Sequence, residues 1–106
     1  MQDQYIIIIT ACPNREEAKK LTSALLDANL AACVQASHIE STYRWQGNIE
    51  TEKEVRLLIK TRSILFDKIA NLIRNELSFV NPEILSIPVL QGKNEYLDWI
   101  YAETKC

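Results

Sequence analysis

Tyr5-Ile6-Ile7-Ile8-Ile9-Thr10 is an unbroken, β-branched run. A strand apolar on both faces reads as a central strand covered on both sides. Pro13-Asn14 stops it, and Asn14 with Glu17 three residues on has the form of a capping box. Ala18, Leu21, Leu25 and Ala28 follow at helical spacing, and Asn29 tolerates the left-handed conformation that ends a helix. Leu30 to Ala36 is small and apolar. From there Ile39, Ser41, Tyr43 and Trp45 alternate with Glu40, Thr42, Arg44 and Gln46, which predicts a strand. Gln46-Gly47-Asn48 signals a turn, and Val55, Leu57 and Ile59 carry a second strand back, with Glu54, Arg56, Leu58 and Lys60 opposite. Gly47 suits either central turn position, so the register stays open.

Leu65, Ile69, Leu72 and Ile73 mark a second helix over residues 63–76, which Asn81-Pro82 ends. Residues 84–90 read as a further strand. Pro88 lacks an amide donor, so that strand lies at an edge or carries a bulge. Gln91-Gly92 turns the chain, and Asn94 caps a short helix bearing Tyr96, Leu97, Trp99 and Ile100. The order is β-α-β-β-α-β plus a short helix, an α+β, ferredoxin-like arrangement. With no repeat and no low-complexity tract, residues 1–106 read as one domain.

The hairpin between Ala32 and Lys60 is long for this fold. Arms of about 13 residues span roughly 40 Å, whereas a domain of this length is roughly 33 Å across. The hairpin therefore projects, and its tip carries Tyr43 and Trp45, rings that are costly to leave wet. Either the rings fold back onto the chain's own helices, with a bulge free to shorten or bend the hairpin, or they bury against a second copy. The length favours the second, and a contact that closes on itself gives a cyclic homo-oligomer.

Composition narrows the function. Twelve Lys and Arg stand against 14 Asp and Glu, for a net charge of -2 and a pI near 5.4. The basic residues are dispersed, which argues against nucleic acid as partner. The apolar run from Tyr5 to Ile9 is far shorter than the roughly 20 residues of a membrane span. Met1-Gln2-Asp3-Gln4 has no signal-peptide pattern. Cys12, Cys33 and Cys106 form no paired motif, and free thiols suit a reducing cytoplasm.

Candidate chemistry is sparse. His38 is the sole histidine, and no nucleophile elbow, phosphate loop or zinc-protease motif is present, so no catalytic residue is assigned. Cys12 precedes a helix, whose dipole could lower its pKa, although a small buried residue is the commoner role. Cys33 reads as core. Cys106 reads as incidental. Glu50, Glu52 and Glu54 share one strand face, best read as solvated. Glu83 opens the last strand, with Lys60 and Arg62 as candidate salt partners.

Several segments together resemble the CutA family of divalent-cation tolerance proteins. They are Leu30-Ala31-Ala32-Cys33-Val34, Ser41-Thr42-Tyr43-Arg44-Trp45-Gln46-Gly47-Asn48-Ile49-Glu50, Leu58-Ile59-Lys60-Thr61, Asn81-Pro82-Glu83-Ile84, Ile87-Pro88-Val89 and Tyr96-Leu97-x-Trp99. The resemblance implies a homotrimer, similar in architecture to PII-type signalling proteins. It also implies a cytoplasmic place in bacteria and a part in tolerance of copper and other divalent cations, with no enzyme activity. Copper or another divalent cation would then meet Cys12 and Glu83, and subunit clefts would be lined by Tyr43, Trp45, Lys60 and Trp99. Where the family usually carries His-Pro-Tyr-Glu, this chain has Leu77-Ser78-Phe79-Val80. The histidine is gone, and a carboxylate with a thiol is a small donor set for a transition metal. A PII-like assembly module without direct metal binding is the alternative. A small acylphosphatase-type enzyme is a further one, which Pro13-Asn14-Arg15 mimics poorly.

Overall fold

The computed structural model describes residues 4–105; the N-terminal residues 1–3 and Cys106 lie outside it. Four strands and three helices follow the expected order: β1 (Tyr5–Cys12), α1 (Arg15–Asp27), β2 (Cys33–Trp45), β3 (Asn48–Arg62), α2 (Phe66–Glu76), β4 (Leu85–Pro88) and α3 (Asn94–Glu103). A 3-10 turn, Ser63–Leu65, leads into α2. The antiparallel sheet has the order β2-β3-β1-β4, which is the ferredoxin-like topology with β1 and β3 central.

Local chemistry explains the element ends. The side chain of Asn14 accepts from the Glu17 amide at 2.8 Å, capping α1. Asn29, at φ 56, closes the other end, where the amides of Asn29 and Leu30 donate to the carbonyls of Leu26 and Leu25. That is the paired bonding of a left-handed helix stop. The hairpin turn has two residues, Gln46 at φ 49 and Gly47 at φ 83, both left-handed, which matches the twist of the strands. This settles the register: Tyr43 faces Glu50 and Cys33 faces Lys60. The third helix begins one residue earlier than its expected cap allows. Lys93 is the cap, without a side-chain hydrogen bond, and Asn94 is the first helical residue. The final strand is shorter than the apolar pattern suggests: Leu85 to Pro88 pair with Ile9 to Ile6 of β1, and just beyond them the Val89 amide donates to the Tyr5 carbonyl at 2.9 Å. Pro88 ends it at the sheet edge.

The two sheet faces differ. Ile6, Ile8, Leu57 and Ile59 point at the helices and close over Leu21 and Leu25 of α1 and Ile69 and Ile73 of α2. The opposite face is covered only at one end, by α3. There Arg62 donates to the hydroxyl and carbonyl of Thr104 at 2.8 and 2.9 Å and stacks over Tyr101. Elsewhere Ile7, Ile9 and Leu58 stay half-buried, and Leu85 and Ile87 are 56% and 47% exposed. Double coverage of β1 is thus not met within one chain. Cys33, expected in the core, lies half-buried on this open face opposite Lys60.

The hairpin projects as its length requires. The chain measures 45 × 26 × 22 Å, with a radius of gyration of 14.4 Å. A compact chain of this length has about 13 Å.

Candidate functional site

The outer half of the hairpin and the loop 78–83 bound a cleft of about 630 Å³. β2 contributes Tyr43 and Trp45, β3 contributes Glu50, Glu52 and Glu54, and the loop contributes Phe79 and Glu83. Cross-strand pairs put the tyrosine and the first two glutamates on the open face together: Tyr43 faces Glu50, and Ser41 faces Glu52. Alternate residues on a strand place neighbouring carboxylates roughly 7 Å apart. Desolvation raises the Tyr43 phenol above its ordinary pKa. Its hydrogen bond to Glu52 and the charges of Glu52, Glu54 and Glu50 add to the rise. The cleft therefore carries a negative field beside aromatic rings.

The loop wall is held from α1. Glu17 accepts from the Ser78 amide and hydroxyl, each at 3.0 Å, while Leu77 is buried in the core. The capping-box reading found the Asn14 half of this arrangement. It missed the other half, because the Glu17 carboxylate, which also accepts from the Asn14 side-chain amide at 3.5 Å, reaches across 61 residues of sequence to Ser78. Phe79 also escaped notice, since nothing in a loop sequence says which way a ring faces.

The other predicted residues lie elsewhere. Cys12 points to the helix side, fully buried, whereas the cleft lies on the open side. Burial pushes its thiol up to about 11, and the charges of Glu17 and Glu54 push the same way. A helix-activated thiolate is thereby overturned. Lys60 does not partner Glu83. Its Nζ donates to the Tyr96 hydroxyl at 3.1 Å and sits 5.3 Å from that ring's centre. Trp99 packs on Tyr96 at 5.5 Å between centroids. Arg62 is engaged with the C-terminal segment. The six candidates thus divide among the hairpin cleft (Tyr43, Trp45, Glu83), the α3 cluster (Lys60, Trp99) and the core (Cys12). Ten residues of β3, roughly 33 Å, separate Glu50 in the cleft from Lys60 beside α3.

The donor set does not fit copper within one chain. Among the described residues, no group of three or more His, Cys, Asp or Glu side chains is placed to hold a metal ion. The donors lining the cleft are oxygens, chiefly carboxylates, which suit hard cations, and Cys12 lies on the other side of the sheet.

A family model described as CutA1 divalent ion tolerance protein matches residues 6–103. The divalent-cation tolerance protein CutA of Archaeoglobus fulgidus is 40% identical over 94 residues, covering 89% of this chain and 91% of that protein. The solved structure of the Archaeoglobus protein, described as periplasmic, superposes with a TM-score of 0.94 at 35% identity, covering 95% of this chain and 99% of that one. The chloroplastic CutA of Arabidopsis thaliana is 34% identical over 101 residues. This chain spans 56% of that plant protein and 57% of a similar one from rice, little more than half of either. No described helix is long and apolar enough to cross a membrane. The family's description names ion tolerance and no catalytic activity. From fold, motif order and these likenesses together, the chain belongs to the CutA family of divalent-cation tolerance proteins.

Proposed function

We propose that the chain works as a cytoplasmic homotrimer in the tolerance of divalent cations such as copper, without enzymatic activity. Its acidic clefts would gather cations or small cationic ligands at the boundaries between copies. The observation that carries this reading is the open sheet face. Ile7, Ile9, Leu58, Leu85 and Ile87 form an apolar layer that α3 leaves largely bare. A layer of this kind calls for a second protein surface. The sheet's two edges are unlike, 13 residues of β2 at one side and four of β4 at the other. A contact joining unlike edges is heterologous, and where its rotation closes such a contact gives a ring. Free thiols support the cytoplasmic assignment, although relatives are described as chloroplastic and periplasmic.

One observation favours a second reading, an assembly module of PII-like architecture that binds no metal directly. It is the missing convergence of three metal donors among the described residues. A single preparation tests both. Light scattering is expected to give a mass near three times 12.2 kDa. A single-chain mass in dilute solution overturns the assembly. Calorimetric titration with Cu(II) and Cu(I) then decides between the readings. Saturable binding tighter than about millimolar that Glu83→Gln weakens supports the cation cleft; its absence leaves the module reading.

A further inference from the structure

A second groove, of about 500 Å³, lies on the helix side of the sheet between α1 and the edge strand β2. It exists because β2 is the outermost strand, so α1, whose buried stripe packs over the sheet's centre, leaves β2 uncovered. Val34, Ala36 and Val55 make an apolar floor. Arg15 and Lys19, four residues apart on one side of α1, form one wall, and His38 stands on the strand opposite. Thr22 and Ser23 add hydroxyls. No carboxylate lines this groove, in a chain with more acidic than basic residues. None of the three basic side chains has an ion pair or hydrogen bond among the described residues. The molecule is thus polarised, with carboxylates gathered in the hairpin cleft and unpaired cations in this groove.

We propose that this groove binds a small organic oxyanion, a carboxylate or phosphate head joined to an apolar body. The guanidinium of Arg15 and the ammonium of Lys19 would take the head by charge-assisted hydrogen bonds. The hydroxyls supply neutral donors, and the apolar floor takes the body. The groove's size falls within the range of about 300–1,000 Å³ usual for small-molecule sites. An inorganic ion alone would leave the floor unused. A nucleic acid would need a continuous basic track, which three residues do not make.

The test is an amide NMR titration of the full chain in its native assembly with phenyl phosphate, benzoate and inorganic phosphate in separate arms. Saturable shifts are expected at Thr22, Ser23, Ala36 and His38 with phenyl phosphate or benzoate, and the stronger of the two identifies the head. Inorganic phosphate is expected to bind about tenfold more weakly, since roughly 1.4 kcal/mol of apolar contact corresponds to that factor. The double variant Arg15→Gln/Lys19→Gln should weaken binding at least about tenfold, because it removes both charge-assisted donors to the head. Ala36→Leu, which fills the floor without touching charge, should weaken it as well. Shifts that rise linearly without saturation, or that persist in the double variant, overturn the proposal. So does a groove already covered by a second copy, seen as ligand-independent protection of these amides.

Discussion

Cys12 illustrates how burial overrides a local cue. Its position before a helix suggests a reactive thiolate, yet the side chain is fully buried among Ile8, Val55 and Leu57, and its pKa rises to about 11. The ordinary value is 9.0, so the unfolded chain ionises first as pH rises. Stability is therefore complete below pH 9 and is lost as pH climbs toward 11. Denaturation of the protein and of Cys12→Ala, compared across that range, should show the gap between them shrinking, by about 2.7 kcal/mol at most for a two-unit shift. Iodoacetamide at neutral pH should label half-buried Cys33 well ahead of Cys12. Equal labelling would contradict the burial argument. Thr10 and Thr61 make the same point with hydroxyls. Both are fully buried on the helix side; Thr61 donates to the Leu30 carbonyl at 2.6 Å, while the Thr10 hydroxyl finds no partner among the described residues. Their sequence surroundings do not foretell the difference.

The hairpin shows how far local chemistry reaches at the level of an element. Gln46 and Gly47 both adopt left-handed backbone, and glycine does so without strain. A Cβ at Gly47 would meet nothing within 4 Å, so Gly47→Ala should cost only the backbone term, about 1 kcal/mol. Gln46→Asn should stabilise the turn by a few tenths of a kcal/mol, since asparagine visits this region readily. Thermal melts of the two variants should move in opposite directions, and a shared direction would refute the turn assignment. The elements themselves were legible, because strand alternation, helix spacing and the residues at positive φ are all written within a few positions. The ends of β4 and α3 were not. The first depends on pairing with β1, far away in sequence, and the second on Lys93 taking the cap position without a side-chain hydrogen bond. The Glu17 latch on Ser78 was illegible for the same reason: its two halves meet only after folding.

At the scale of the molecule, the open face makes a test possible that separates assembly from folding. Ile87 is half-exposed in the single chain, so Ile87→Glu leaves the helix-side core untouched. A carboxylate buried between copies would cost several kcal/mol, so the variant should lose its assembly and keep its helical circular dichroism. Ile8→Ala, which empties a fully buried site, should instead destabilise the fold by about 2–5 kcal/mol. An Ile87→Glu protein of undiminished mass would mean that this face is no interface. The run Ile6 to Ile9 thereby gains its meaning. Its even residues serve the chain's own helices, and its odd residues stay half-buried on the open face.

The sequence by itself determined the element order, the ferredoxin-like class, the projecting hairpin and the shared face of Glu50, Glu52 and Glu54, since each follows from periodicity or turn chemistry over short distances. Only the tertiary structure decided which sheet face the helices cover, and so which side each candidate occupies. Cys12 went to the core, Glu83 to the acidic cleft, and Lys60 to Tyr96. A strand's alternation gives two faces without naming them. The names come from helices and strands far away in sequence, whose packing no local pattern records.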